Sequence, residues 1–235
     1  MARRVSFLAA AVALGAAAWA ALDPDRGGLA VLLAGFAVLV VGAAALEGGT
    51  GLVKDVTLVA TIAGVAAAAR VLFAPVPGVQ PLTVIVVCAG AALGPRRGFA
   101  VGALGALASN FFLGQGPWTP WQMLAWGACG LAGALTARLL RSRLALAALT
   151  FALGLAFSAF LDLWEWYAFF PHTLEALAVQ MVRGFPFDLA HAIGNVLIAL
   201  AIGPELRRVL ERYERRTRTE IVWATRSPAA RGERA

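Results

Sequence analysis

The sequence predicts an all-α protein, a bundle of helices that cross a membrane several times. Of its 235 residues 60% are hydrophobic, and the mean hydropathy is +0.78. Both values are well above those of a soluble globular domain. Apolar runs recur near the length that crosses about 30 Å of hydrocarbon. The alternation of apolar and polar residues that a membrane β-barrel needs over roughly ten residues is absent from the sequence.

Two N-terminal helices come first, over residues 1–50. Arg3 and Arg4 precede an apolar run at residues 5–22, and a second run covers residues 29–46. The segment Ala18-Trp19-Ala20 could be a signal-peptidase site. We favour a retained helix because many further spans follow, and the topology is the same in either case.

A core of six helices is predicted within residues 51–206, followed by a basic cytoplasmic tail at residues 207–235. The run at 82–94 is short for a span and would have to extend, tilt or thin the bilayer. Residues 95–97 are predicted to be a turn, and residues 164–187 an external aromatic loop with a short amphipathic helix near 173–182. The six predicted spans are residues 54–73, 82–94, 99–113, 121–140, 144–164 and 188–202.

The distribution of basic residues sets the predicted topology. With a cytoplasmic N-terminus, seventeen of the twenty basic residues lie in cytoplasmic segments, and only Arg26, Arg70 and Arg183 lie outside. Omitting the short run at 82–94 would place the basic tail outside, so charge supports that run as a span. Both termini are then cytoplasmic. The Ala-, Gly- and Arg-rich composition indicates a GC-rich bacterial genome, so the predicted location is a bacterial inner membrane. The net charge of +7 does not imply nucleic-acid binding, because the positive-inside rule explains the basic residues.

Two uncharged segments rich in Pro and Gly, residues 74–81 and 114–121, are predicted to be structured external loops. Their amides, hydroxyls and indoles can hydrogen-bond a neutral ligand. Together with polar residues of the neighbouring helices they form the predicted substrate site. Its candidate residues are Arg70, Gln80, Asn110, Gln115, Trp118, Thr119, Trp121, Asp188 and His191.

Several of the polar residues have two interpretations. Arg70, a lone charge near the end of an apolar helix, either faces a cavity or extends to the membrane interface. Asp188, His191 and Asn195 share one helix face, which either lines a cavity or holds the bundle together by interhelical hydrogen bonds. The second interpretation is favoured for Asn195, and the first for Asp188 and His191.

The aromatic residues also have two interpretations. Asp162 and Glu165 are one helical turn apart and could carry acid–base chemistry. They lie among Trp164, Trp166 and Tyr167, however, and an aromatic belt at the headgroup level is the favoured explanation. For Trp118 and Trp121, which belong to an uncharged loop, stacking on a flat ligand is favoured.

Other patterns argue against an enzyme or a metal site. There is no G-x-x-x-x-G-K-[ST] motif and no G-x-S-x-G motif in the sequence. Two histidines far apart make a metal site improbable, and the two cysteines lie in apolar runs, so no cofactor is expected. Small residues are spaced four apart at Ala63 and Ala67, at Gly90 and Gly94, and at Gly98 and Gly102. In so Ala-rich a chain, chance is the default explanation of such spacings.

Five segments resemble the substrate-binding (S) components of energy-coupling factor (ECF) vitamin transporters. The similarity covers about residues 54–204, and the segment Gly-Gln-Gly-Pro-Trp-Thr-Pro-Trp is its most specific part. Among members of that family the chain looks most similar to those assigned to cobalamin or related compounds. The matching segments are residues 75–81, 93–99, 109–112, 114–123 and 186–195.

The resemblance implies a six-helix core that binds a micronutrient at its external face and topples in the bilayer to release it. The first two helices are then an addition to the core. It also implies partner proteins, a membrane-embedded T component and two ATPases, and docking of the T component on Ala63 and Ala67. The expected function is therefore vitamin capture for ATP-driven import.

Two other functions are weighed against vitamin capture. An ion-coupled secondary transporter would use Asp162, Asp188 or His191 as the coupling group. An intramembrane enzyme is disfavoured because no nucleophile–base pair is legible in the sequence.

Overall fold

The computed structural model describes residues 52–226 as a continuous segment, together with eight isolated positions among the first 50 residues. Side chains are described from residue 55 to residue 216. Apart from those eight positions, the predicted N-terminal helix pair lies outside the described residues, and so does the end of the basic tail.

Residues 52–226 form six α-helices and one short 3-10 helix, and this part of the chain contains no strand. The prediction of an all-α fold is confirmed for it. Three segments are long and apolar enough to cross a membrane: Asp55–Leu72, Arg143–Phe169 and Leu174–Arg216. The helices are α1 Leu52–Leu72, α2 Pro81–Leu93, α3 Pro95–Leu113, α4 Thr119–Leu135, α5 Arg143–Phe169 and α6 Leu174–Arg226, with the 3-10 helix at Leu139–Arg141 between α4 and α5.

Proline and glycine set several of the helix ends. Pro81 and Pro95 occupy the first positions of α2 and α3, where the missing N–H costs nothing. Gly94 and Gly114 end α2 and α3 with φ of 91° and 109°, a region that favours glycine. The predicted turn at residues 95–97 is therefore wrong, because Pro95 opens a helix and the turn is reduced to Gly94.

Helix α2 is the buried centre of the bundle. It has 13 residues and is about 20 Å long, which is too short to cross the hydrocarbon by itself. Leu82, Val84, Val86 and Val87 are fully buried, and α1, α3, α4 and α6 all contact the helix. A short run of continuous hydrophobicity is typical of a core helix that other helices surround.

Glycines let α2, α3 and α4 approach one another closely. A Cβ atom on Gly90 would lie 1.9 Å from the carbonyl oxygen of Gly130, and one on Gly98 would lie 2.6 Å from Cα of Gly90. One on Gly102 would lie 2.3 Å from the carbonyl oxygen of Trp126. The chance interpretation is therefore wrong for Gly90, Gly98 and Gly102, which are backbone contact points between helices.

Helices α5 and α6 form a long antiparallel hairpin. Contacts run along it from Arg143 with Glu205, through the carbonyl oxygen of Thr150 with Asn195, to Glu165 with Gln180. Only residues 170–173 separate the two helices, and α6 continues without a break to Arg226. The predicted external loop over residues 164–187, with a last span that begins at residue 188, is wrong.

The external loop was predicted from the mixed aromatic and polar composition of residues 164–187, and Gly184 and Pro186 near its end both lie inside α6. A proline removes one backbone hydrogen bond, which a helix tolerates where neighbouring helices support it. Here α6 lies close against α5, because a Cβ atom on Gly184 would lie 3.0 Å from the Asp162 carboxylate. One of the polar residues in the predicted loop, Glu165, instead accepts a hydrogen bond across the hairpin from Gln180 at 2.6 Å.

Hydrogen bonds and ion pairs identify the two ends of the bundle. We call one the Arg70 end, where Arg70 near the end of α1 meets Gln80 before α2 and Asn110 near the end of α3. Asn110 in turn bonds Thr119, the first residue of α4. Consecutive helices therefore alternate in direction.

We call the opposite end the Arg97 end. Arg97, in the first turn of α3, pairs with Asp55 of α1 at 2.9 Å and with Glu214 of α6 at 2.5 Å. Arg143 at the start of α5 pairs with Glu205 of α6 at 3.0 Å. These pairs tie α1, α3, α5 and α6 together at this end.

The glycine contacts predict a stability difference between two Gly→Ala variants. Gly90→Ala places a methyl group against backbone that cannot move aside, and we expect it to lower the free energy of unfolding by about 1–3 kcal/mol. Gly64→Ala is the control, since no atom lies within 4 Å of its Cβ position and Ala favours a helix. The measurement is Tm of the purified protein in detergent, and equal Tm values for the two variants would contradict the close contact.

Candidate functional site

The side chain of Arg70 is the centre of a polar network at the Arg70 end. It is only 7% exposed. Its Nε donates to Oε1 of Gln80 at 2.9 Å, and its Nη1 lies 2.6 Å from both Oγ of Ser109 and Oδ1 of Asn110. The guanidinium carbon lies 4.6 Å from the ring centre of Trp126, within the range of a cation–π contact.

The positive charge of Arg70 has only neutral partners. Gln80, Ser109 and Asn110 accept its hydrogen bonds, and among the described residues no carboxylate forms an ion pair with it. A buried charge without a countercharge is costly, and ionisable residues inside a membrane often belong to functional sites. Arginine keeps its proton in proteins, so the charge persists in this environment.

Asn110 carries the network into the second Pro/Gly-rich segment. Its Nδ2 donates to Oγ1 of Thr119 at 3.0 Å and to Oε1 of Gln122 at 2.8 Å. Thr119 in turn donates to Oε1 of Gln115 at 2.9 Å and accepts from the backbone N–H of Gly116 at 3.3 Å. The segment between α3 and α4 is therefore held at both ends, and its uncharged polar groups are fixed beside Arg70.

Two further hydrogen bonds connect Trp126 of α4, which contacts Arg70, with His191 of α6. The indole Nε1 of Trp126 donates to Oγ1 of Thr83 at 3.0 Å, and that hydroxyl lies 2.9 Å from Nε2 of His191. The hydroxyl can donate to Nε2 or accept from it, according to the tautomer of His191, so it bonds both rings in either case. The edge of the His191 ring also contacts Phe157, with the ring centres 5.3 Å apart. Residues from α2, α4, α5 and α6 thus meet beneath Arg70.

The network brings together six of the nine predicted substrate-binding residues. Four of them are linked directly through Arg70 or Asn110, Gln115 joins through Thr119, and His191 joins through Thr83 and Trp126. They are Arg70, Gln80, Asn110, Gln115, Thr119 and His191.

The other three predicted residues lie outside the network. Trp118 is 39% exposed and its ring folds over Gly116. Trp121 stacks on Trp164 of α5, with ring centres 6.2 Å apart. Asp188 is half-buried on α6, and it is one of the charged neighbours of Asp162 on α5.

Three buried polar atoms at the Arg70 end have no hydrogen-bond partner: Nε1 of Trp121, Nε1 of Trp164 and Oδ2 of Asp162. Buried polar groups in proteins are nearly always bonded to protein, water or ligand, so each of these needs a partner. The two indoles offer donors and the carboxylate offers an acceptor. The Arg70 end therefore holds two buried donors and one buried acceptor that have no hydrogen-bond partner.

Aromatic residues near the connection between α5 and α6 bond locally. Nε1 of Trp166 donates to the carbonyl oxygen of Pro171 at 3.0 Å, and Nε2 of His172 lies 2.9 Å from the carbonyl oxygen of Tyr167. The rings of Tyr167 and His172 stack with centres 5.0 Å apart. These contacts cap the hairpin.

The network also contains residues that sequence reasoning missed. Ser109 and Gln122 were inside segments that carried the family resemblance, next to residues that were chosen. Thr83 comes three residues after Gln80, and Trp126 comes four residues after Gln122. Residues three or four apart are neighbours on a helix surface, so helical spacing could have identified both. Thr83 and Trp126 were missed because both lie in apolar runs.

The structure also shows the surroundings of Asn195, of the two cysteines and of the two alanines predicted to dock a partner. Asn195 donates to the carbonyl oxygen of Thr150 at 3.2 Å, which confirms its role in interhelical bonding. Cys88 and Cys129 are free and buried, as expected for small apolar residues. Ala63 and Ala67 are 3% and 5% exposed, so the bundle would have to uncover them before a partner could contact them.

Comparisons with protein-family models, with curated proteins and with solved structures found no match to this chain. Among the described residues, no group of three or more His, Cys, Asp and Glu side chains could hold a metal ion. Function is therefore inferred from the geometry around Arg70 and from the sequence segments quoted above.

The Thr83 hydroxyl predicts a specific loss of stability. Thr83→Val keeps the shape of the side chain but leaves Trp126 and His191 without their shared partner, and we expect a cost of about 1–3 kcal/mol in the free energy of unfolding. Thr61→Val is the matched control, because its hydroxyl is exposed and bonds only the carbonyl oxygen of Thr57 in its own helix. Denaturant titrations of both variants measure the difference, and an unchanged Thr83→Val protein would contradict the network.

Proposed function

We propose that this chain is the substrate-capturing subunit of an ATP-driven vitamin importer, an S component of the ECF type. In this proposal it is a multi-pass protein of the bacterial cytoplasmic membrane, with a six-helix core, two additional N-terminal helices and both termini in the cytoplasm. The observation that carries the proposal is the buried, uncompensated charge of Arg70 within a ring of neutral polar side chains.

The chemistry of the ring defines the ligand that it would hold. Arg70 provides a fixed positive charge, and the side-chain amides of Gln80, Asn110, Gln115 and Gln122 can exchange their mutual hydrogen bonds for bonds to a ligand. The partly exposed Trp118 and the Trp121–Trp164 pair provide flat apolar surface next to these groups. A micronutrient with carbonyl or anionic oxygens and a planar or bulky apolar part fits this combination, and cobalamin-type compounds are one such class.

The charge distribution between the two ends supports the membrane orientation. The Arg97 end and its adjoining turns hold most of the basic residues between α1 and α5, whereas the Arg70 end holds Arg70 and Arg183. By the positive-inside rule the Arg97 end faces the cytoplasm and the substrate site faces outward. The basic residues at the cytoplasmic end are Lys54, Arg96, Arg97, Arg138, Arg141 and Arg143.

Partner proteins would supply the energy. The chain has no P-loop, so hydrolysis would take place on two ATPase subunits that act through a T component. Docking of the T component on Ala63 and Ala67 stays a prediction, and it requires these alanines to become accessible in the complex. The outward face of α1 instead presents Thr61, Gly64 and Ala68.

A second candidate function is ion-coupled transport, and Asp162 is the observation that favours it. Its buried Oδ2 atom has no partner, and its charged neighbours are Glu165 and Asp188. A proton or a cation would satisfy that oxygen. Uptake that an uncoupler abolishes in cells lacking the ATPases would support this candidate over vitamin capture by an ECF complex.

Vitamin capture predicts that Arg70 contributes strongly to ligand affinity. We expect Arg70→Gln to weaken binding of the co-purified micronutrient about 10- to 100-fold, since a charge-assisted hydrogen bond is lost. Arg70→Lys keeps the charge without the planar donor geometry and should bind with intermediate affinity. The measurement is mass spectrometry of the bound ligand, followed by titration calorimetry with a panel of vitamins.

The matched control is Arg183→Gln, which removes an exposed arginine from α6 at the same end. It should leave the affinity unchanged. Folding of each variant is checked by size-exclusion chromatography and Tm, so that a loss of binding is not a loss of structure. Equal affinities of the wild-type protein and a folded Arg70→Gln variant would contradict the proposed site.

The proposed orientation predicts opposite labelling of the two ends in intact cells. In a background with Cys88→Ala and Cys129→Ala, Gln115→Cys should react with a membrane-impermeant maleimide, because Gln115 is exposed at the Arg70 end. Ser142→Cys, at the Arg97 end, should react only after permeabilisation. Labelling of Ser142→Cys but not of Gln115→Cys in intact cells would refute the orientation and the external substrate site with it.

A further inference from the structure

Aromatic rings lie along the interface between α4 and α5, and we call this interface the aromatic seam. Trp126 of α4 packs on Phe157 of α5, with ring centres 4.3 Å apart. Trp121 of α4 contacts Phe160 and Trp164 of α5, with ring centres 6.0 and 6.2 Å apart. Among the residues whose side chains are described, no hydrogen bond or ion pair joins α4 to α5, which is bonded to α6 instead. Separating the two helices at the seam would therefore break ring contacts and no polar bond.

The indole N–H groups of α4 and α5 are of two kinds. Those of Trp126 and Trp166 each donate to an oxygen atom at 3.0 Å. Those of Trp121 and Trp164 are buried and have no acceptor. The Trp164 side chain is only 9% exposed, and its ring plane lies at 23° to that of Trp121. The two donors that lack an acceptor thus belong to one pair of stacked rings, and each of them needs an oxygen atom to bond.

The outer part of the seam is uncharged. Helix α4 contains no charged residue. The charged residues of α5 near this end are Asp162 and Glu165, and both face α6. The first lies against Gly184, and the second accepts a hydrogen bond from Gln180. A neutral carbonyl oxygen suits two neutral donors here, because a carboxylate would bring in a buried charge that neither helix compensates.

The aromatic seam adjoins the Arg70 network. Trp126, at its inner end, has its ring centre 4.6 Å from the guanidinium carbon of Arg70. Trp121 comes five residues earlier in α4, which places it about 7.5 Å farther toward the Arg70 end. A single ligand could therefore contact Arg70 with one oxygen atom and the outer part of the seam with another.

We propose that a flat, carbonyl-bearing part of the micronutrient enters the aromatic seam and accepts hydrogen bonds from the indole N–H groups of Trp121 and Trp164. Contacts between rings and ligand then replace contacts between rings, and the two donors gain acceptors. The ligand class is a compound that carries a neutral amide or ring carbonyl in addition to the oxygen that Arg70 binds. This inference rests on the proposed vitamin capture and identifies a second group that selects the substrate.

The experiment measures binding of three probes to the full-length protein in detergent by titration calorimetry. Cyanocobalamin carries amide carbonyls, riboflavin carries ring carbonyls, and thiamine is a flat cation without a carbonyl. The test variants are Trp121→Phe and Trp164→Phe, which keep an aromatic ring and remove the N–H group. The matched control is Trp166→Phe, since the N–H group of Trp166 already donates to the carbonyl oxygen of Pro171.

We expect wild type to bind cyanocobalamin or riboflavin more tightly than thiamine. Each test variant should bind the preferred probe about 3- to 10-fold more weakly, because one neutral hydrogen bond is lost. The control should stay within about twofold of wild type. Nuclear magnetic resonance of wild-type protein labelled with ¹⁵N-tryptophan gives a second readout that needs no folded variant. The preferred probe should shift the indole N–H signals of Trp121 and Trp164 and leave that of Trp166 in place.

Two results would overturn this inference while vitamin capture stands. Unchanged affinity in both folded test variants, with unshifted indole signals in wild type, would show that these N–H groups do not contact the probe. Tighter binding of thiamine than of both carbonyl-bearing probes would show that the site does not select a carbonyl oxygen. Folded wild-type protein that binds none of the three probes would contradict vitamin capture itself, and this inference with it.

Discussion

The structure depends on the burial of one guanidinium group that has no carboxylate beside it. Arg70 must find all its hydrogen-bond partners among neutral side chains, and these come from the segments before α2, at the end of α3 and, through Asn110, at the start of α4. Each partner fixes the position of one chain segment at that end. Breaking the set would leave a buried charge partly unsatisfied, and this is among the most costly changes that a protein interior can undergo.

Such a network needs a rigid support, and the close contacts of α2, α3 and α4 provide it. Backbone touches backbone at Gly90, Gly98 and Gly130, so these helices have little freedom to slide. The short α2 lies in the middle and carries Thr83, whose hydroxyl joins Trp126 to His191 on α6. The polar residues at the Arg70 end are therefore held by a core that is apolar, glycine-rich and tightly fitted. A ligand that exchanged hydrogen bonds with the network would meet preorganised groups, which lowers the entropy lost on binding.

Much of the helical layout could be predicted from the sequence, because hydrophobic runs and Pro/Gly segments mark most helices and connections directly. Six of the nine candidate residues meet in one network because they lie near helix ends that the alternating direction brings together. The hairpin of α5 and α6 was missed, since the mixed aromatic and polar residues at 164–187 indicated a loop, whereas α6 continues through Pro186. Thr83 and Trp126 were missed because their polar atoms are hidden in apolar runs, and only the packing of α2 against α4 shows that they bond. The contacts of Gly90 with Gly130, forty residues away, cannot be read from local spacing.

The account stands on the claim that the Arg70 network is where a micronutrient binds. A structure of the full-length protein with its co-purified ligand tests this claim most directly. The account predicts ligand oxygen atoms within hydrogen-bond distance of the Arg70 guanidinium, with the bonds of Gln80 or Asn110 rearranged toward the ligand. A ligand bound elsewhere, with the bonds from Arg70 to Gln80, Ser109 and Asn110 unchanged, would contradict it and would leave the network as a purely structural clamp.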